Sequence, residues 1–152
     1  MKWLNSCGLK TTSRRLQGVA AGSAGNNEVV TRVEQFRPVY QYAMLGGGPQ
    51  EEELLDDELW NEQGVVYARI VQEEIIYIRS VDQRLCDRIQ EHLRIILTPR
   101  YAEYRKWAEG KRITIVAYKP PLIEVLGRLI PVHRALEAAL IAEFHPRFVA
   151  QT

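Results

Sequence analysis

Tyr67, Tyr77, Arg88, His92 and Glu137 are the residues of this 152-residue chain whose types and spacing could carry chemistry. The two tyrosines lie ten apart, on neighbouring runs of β-branched residues. Arg88 and His92 are four apart, so they share one face of a helical segment. Glu137 lies between Leu136 and Leu140 on the apolar stripe of the last helical segment. An acid beside such a stripe needs a partner, a metal or a solvated cleft. The set therefore contains a guanidinium, a carboxylate, and three groups able to donate a hydrogen bond or pass a proton. Singly, each has a plainer account. Strand tyrosines pack cores, a helix arginine is solvated, and Glu137 can sit beside Arg134.

The elements that must position these groups lie between residue 64 and the end of the chain. Residues 64–71 and 74–79 read as two strands of an antiparallel hairpin with a tight turn near Gln72 and Glu73. Residues 82–97 follow the helical period, with Leu85, Ile89, Leu93 and Ile96 as the apolar stripe and Asp82 as the N-cap. A second helix is expected over 100–109, stopped by Gly110, then a third strand over 112–118. A short helix to about 129 and a final helix over 132–144 complete the order. This predicts an α+β fold: a small, three-stranded, mainly antiparallel sheet flanked by helices.

Residues 1–63 read as an N-terminal arm or extension ahead of a domain at 64–152. Residues 1–27 are rich in Gly, Ser, Ala, Thr and Asn and look poorly ordered. Residues 28–45 could add a strand or two, which Pro38 would confine to an edge or break. An acidic segment follows at 51–62, where Leu54, Leu55, Leu59 and Trp60 predict a short helix. It reads as a solvated acidic helix, or as a flap over a basic groove.

Composition bounds the partners. The formal net charge of +1 divides into +4 for residues 1–50, −7 for 51–63 and +4 for 64–152. The neutral total therefore does not argue against an anionic partner. The apolar runs are short and broken by charges, so no membrane span is expected. Cys7 and Cys86 form no zinc or disulfide pattern and read as reduced thiols in a cytoplasmic protein.

The segments GVVY (64–67) and YIRS (77–80), followed by DRIQEH (87–92) and ALEAALIAEFHP (135–146), resemble the GIY-YIG nuclease superfamily. The resemblance covers about residues 64–149 and is nearest to the small phage and restriction-type branches. It assigns Tyr67 and Tyr77 to the family's two motif tyrosines, Arg88 and His92 to its helix arginine and histidine, and Glu137 to its metal-binding glutamate. It implies a Mg²⁺- or Mn²⁺-dependent endonuclease that hydrolyses phosphodiester bonds of double-stranded DNA. In that scheme Glu137 holds the metal and Arg88 the scissile phosphate. Tyr67 positions or deprotonates water, Tyr77 orients water or phosphate, and His92 is a proton relay or phosphate ligand.

Arg79, Ser80 and Arg84 lie close in sequence to this site and could contact DNA phosphates. Arg105, Lys106 and Lys111 belong to a second basic zone, which also includes Arg100 and Arg112. Three features depart from the family. Arg79 replaces the second motif's glycine, the interval from Tyr77 to Arg88 is about one residue longer, and Phe148-Val149-Ala150 stand where an asparagine is usual. The alternative reading is therefore a non-cutting relative that binds nucleic acid or a protein. A single site cuts one strand, so cutting both needs a homodimer or successive nicks.

Overall fold

The computed structural model describes residues 35–148. Expectations for the arm before residue 35, including Cys7, lie outside the described residues. The fold is α+β. Its strands are β1 (Arg37–Leu45), β2 (Gly48–Leu54), β3 (Gln63–Val71), β4 (Glu74–Arg84), β5 (Arg112–Tyr118), β6 (Ile123–Val125) and β7 (Arg128–Ile130). Its helices are α1 (Asp57–Trp60), α2 (Leu85–Ile95), α3 (Ala102–Ala108) and α4 (His133–Phe144).

The main sheet is antiparallel and has five strands rather than three, in the order β2-β1-β5-β3-β4. The two additional strands, β1 and β2, come from residues read as the extension. Pro38 is not on an edge strand, because β1 lies between β2 and β5. It is tolerated because β2 pairs only with Tyr40–Leu45, and a bulge follows Pro38. At Pro38 itself β1 has a neighbour on one side only, so the missing N–H breaks no second ladder.

The β3–β4 hairpin is the frame of the site. Its turn places both Gln72 (φ 51°) and Glu73 (φ 68°) in the left-handed region. This is the two-residue geometry whose twist suits a hairpin, here without the usual glycine. Gly64 (φ +65°) sits at a bulge between the pairs Gln63–Arg84 and Val65–Val81, which explains the glycine that opens GVVY. β4 runs on to Arg84, so Asp82 is a strand residue and not the N-cap of α2. Arg84 holds that N-cap position and makes no side-chain cap.

Each face of the sheet has its own core. Val65, Tyr67, Tyr77 and Val81 pack with Leu85 and Ile89 of α2 and with Tyr104 and Ala108 of α3. Val66, Ala68, Ile78 and Val116 pack on the other face with Leu136 and Leu140 of α4. This is the period-two alternation of a strand covered on both sides.

Two local expectations are corrected. Glu51, Glu52 and Glu53 lie in β2, and only Asp57–Trp60 is helical, with Asp56 accepting from the Leu59 N–H as its cap. Glu52 accepts from the Tyr40 hydroxyl, Glu53 from Gln41, and Glu51 and Asp56 pair with Arg112 and Arg37. The short helix expected before residue 129 is instead the β6–β7 hairpin, closed by Leu126 (φ 52°) and Gly127 (φ 77°). Residues 121–131 are all exposed, so β-branched Ile123, Val125 and Ile130 pair across the hairpin without packing on the main core.

Candidate active site

A cavity of about 470 Å³ opens on the α2–α3 side of the sheet, lined by Arg69, Tyr77, Arg79, Arg88, His92, Arg100, Tyr104 and Arg147 among others. Strand alternation puts Tyr67, Arg69, Tyr77 and Arg79 on this face. Tyr67 is paired with Arg79 across the hairpin, and Arg69 with Tyr77. The two motif tyrosines pack with ring centroids 6.1 Å apart. Tyr67 is fully buried and Tyr77 nearly so. Arg88 projects from the first turns of α2, half-buried, with Nη1 3.4 Å from Glu91. His92 follows one turn later and is buried.

Electrostatics distinguish these groups. Burial raises the Tyr67 phenol above its ordinary range, against the opposing pull of Arg69 and Arg88. Tyr67 is therefore neutral at pH 7, suited to orienting water and poorly suited to deprotonating it. Burial pushes His92 well below its ordinary value, and the charges of Arg69 and Arg88 add to that. A neutral His92 can relay a proton but is not a cationic phosphate ligand at pH 7. Burial works against the charge of Arg88, yet the facing Tyr67 and Tyr77 outweigh it, and the guanidinium stays protonated. The Tyr67 hydroxyl, Arg88 Nε and His92 Nε2 are all buried without a hydrogen-bond partner.

Glu137 stands elsewhere. It is half-buried on α4 and accepts hydrogen bonds from the Ser80 backbone N–H and from Ser80 Oγ, the latter at 3.2 Å. It is not among the residues that line the cavity. Arg79 and Ser80 are consecutive, so the cavity and the carboxylate meet opposite faces of one β4 segment. Further along β4, Asp82 accepts from His133 at 2.6 Å and from Arg134. Three of the five catalytic candidates thus line one cavity, Tyr67 packs against one of them, and Glu137 is bonded to Ser80, one residue along β4 from Arg79.

No group of three or more His, Cys, Asp or Glu side chains that could hold a metal gathers among the described residues. A cage made only of protein ligands does not fit. Mg²⁺ keeps most of its waters and is bound through one or two carboxylates plus phosphate oxygens. Glu137 with Ser80 Oγ is a donor set that fits this mode and no richer one.

The DNA-contact candidates divide. Arg79 lines the cavity in ordinary extended backbone, with no positive φ, so replacing the motif glycine strains nothing. Arg84 is paired with Asp87 at 3.1 Å. Arg105 donates to the Ile96 and Thr98 carbonyls, both at 2.6 Å, so it closes the end of α2. Lys111 donates to the Trp107 carbonyl at 2.5 Å and lies over that ring. Lys106 is exposed. Sequence reasoning missed Arg69 and Arg147. The signal for Arg69 was present: an arginine in the core-facing register of GVVYARIV. Of the stretch that stands where the family's asparagine is usual, only Phe148 is among the described residues, and its ring packs on Tyr104 and Trp107.

No family model and no curated protein matches this chain. Among solved structures, a mutant of bacteriophage T4 EndoII aligns with a TM-score of 0.51 and 17% identity, covering 74% of this chain and 90% of that one. The restriction endonuclease HPY188I in complex with product DNA aligns with a TM-score of 0.46 and 15% identity, covering 78% of each chain. The likeness to the phage protein is one of fold. No described helix is long and apolar enough to cross a membrane.

Proposed function

We propose that this protein is a divalent-metal-dependent endonuclease of the GIY-YIG type, acting on double-stranded DNA. One observation carries the reading. Tyr77, Arg88 and His92 line a cavity rich in arginine, Tyr67 packs against Tyr77, and Glu137 of α4 is bonded to Ser80, one residue along β4 from Arg79. The fold shared with a phage EndoII and the four sequence segments support it.

The scissile phosphate binds to Arg88, whose planar fork matches two non-bridging oxygens and stays charged through the reaction. Tyr67, a neutral phenol, orients the attacking water, and Tyr77 holds water or phosphate beside it. His92 passes the released proton onward. Glu137, with Ser80 Oγ, would hold Mg²⁺ or Mn²⁺. Positive charge beside the leaving 3′ oxygen is what the bound ion supplies. Arg79 adds a phosphate contact that positions the backbone without reading sequence.

The second reading is a binding protein that does not cut. The engagement of Glu137 by Ser80, away from the cavity lining, favours it. Incubation of supercoiled plasmid with the protein, in Mg²⁺ and then in EDTA, separates the two. Nicking in Mg²⁺ alone supports the nuclease. Salt-sensitive binding without nicking in Mg²⁺ or Mn²⁺ supports the binding protein. A linear product formed without a nicked intermediate would indicate two sites acting together, as in a homodimer.

A further inference from the structure

Arg69 is the least expected residue of the cavity. It stands on β3 two residues after Tyr67, is only 5% exposed, and has no carboxylate partner among the described residues. Its guanidinium carbon lies 3.8 Å from the centre of the Tyr77 ring and 5.9 Å from that of Tyr104. Its Nε is buried without a hydrogen-bond partner. A buried charge needs pairing and hydrogen bonds, and two aromatic faces supply neither in full. Hydrophobic residues in such a place often stabilise a fold better than the ion does.

The surroundings have one chemical sense. Arg88 Nε, the Tyr67 and Tyr104 hydroxyls and His92 Nε2 are also buried and unpartnered. These groups are donors, or can become donors by rotation or choice of tautomer. Two guanidiniums ringed by unused donors form a receptor for an oxyanion.

We propose that Arg69 is a second phosphate ligand, binding non-bridging oxygens of a DNA phosphate from the floor of the cavity, beside Arg88 and without any metal. The proposal deepens the nuclease reading and rests on it for the identity of the ligand as DNA. The chemistry it requires is only that of a phosphate group.

The test uses inorganic phosphate on the full chain in EDTA, with chloride at matched ionic strength as control. The expected result is a melting temperature that rises with phosphate for the wild type and does not rise for Arg69→Met. In phosphate-free buffer Arg69→Met should melt at the wild-type temperature or above it, because a buried charge has been removed. A short DNA duplex in EDTA should bind Arg69→Met at least about tenfold more weakly, since a charge-assisted contact is lost. An unchanged phosphate response in Arg69→Met overturns the proposal.

If that variant does not fold, the Arg69 Nε–H resonance of the wild type decides. It must move on titration with phosphate, and a fixed resonance overturns the assignment. The two readings fail separately. Loss of the phosphate response in Arg69→Met, with no plasmid cutting by the wild type, retains this site and removes the nuclease. Cutting with a phosphate response indifferent to Arg69 does the reverse.

Discussion

His92 meets the Tyr104 ring edge-on, with 6.2 Å between ring centroids and 76° between planes. This packing, with Arg69 and Arg88 nearby, keeps the imidazole neutral far below its ordinary pKa. The consequence for stability has a definite sign. Above about pH 6.5 the folded and unfolded states both hold a neutral His92. Below it the unfolded chain takes up a proton that the folded site refuses. Stability therefore falls by about 1.4 kcal/mol per pH unit until the depressed folded pKa is reached. Thermal melts between pH 7.5 and 5 should show a decline that is one proton shallower in His92→Phe. Equal slopes would remove this account of His92.

Arg88 is expected to stabilise the transition state in addition to holding the phosphate. Arg88→Ala should lower the cutting rate by about 10²–10³-fold, the range typical for removing one charge-stabilising donor. Arg88→Lys should recover little of it, because an ammonium lacks the fork. Single-turnover rates beside equilibrium DNA binding in EDTA make the measurement. A rate unaffected by Arg88→Ala would dissolve the site.

Arg79 and Arg105 should respond differently to salt. Arg79 lines the cavity, so Arg79→Ala should weaken DNA binding and reduce the slope of log K against log salt by about one. Arg105 is spent on the Ile96 and Thr98 carbonyls. Arg105→Ala should lower thermal stability and leave the slope alone. Salt titrations of both variants on one duplex check the pair of expectations.

Gly64 tests the hairpin's geometry. At φ +65° a Cβ is disfavoured whatever the space around it, and this one would also meet Lys119 Nζ at 3.2 Å. The lysine end can move aside, so the backbone sets the penalty, about 1–2 kcal/mol. Gly64→Asn should be milder than Gly64→Ala, because asparagine tolerates the left-handed region. Denaturant melts of the two variants rank them.

That Tyr67, Tyr77, Arg88 and His92 come together was legible in the sequence, because alternation along a strand and the four-residue helical interval are local properties. The α+β class was legible for the same reason. The place of β1 was not. Its neighbour β5 lies some 70 residues away along the chain, and only pairing between the two makes β1 an interior strand. Residues 122–130 have an apolar pattern that serves a helix or a hairpin, and the choice rests on a turn at Leu126 and Gly127. Glu137 was recognisable as an acid on an apolar helix, but its seat against Ser80 depends on how α4 lies along β4. Arg69 is set apart only by tertiary packing, the Tyr77 and Tyr104 rings that close around its guanidinium.

The seat of Glu137 gives it a second consequence. β4 is one of the two outer strands of the sheet, and an unpaired outer strand invites the strand of another molecule to add to it. Glu137 takes the Ser80 N–H, and the Phe148 N–H takes the Ile76 carbonyl, so α4 and the segment after it close that border from two points. Removing the carboxylate outright would leave the Ser80 N–H open on that border as well as remove the proposed metal ligand. Glu137→Ala should therefore lose cutting and also gain concentration-dependent aggregation, visible in light scattering. Glu137→Gln keeps an oxygen for Ser80 and should lose cutting while staying monodisperse and able to bind DNA. The residue proposed to recruit the ion thus also occupies a backbone donor on the open border of the sheet.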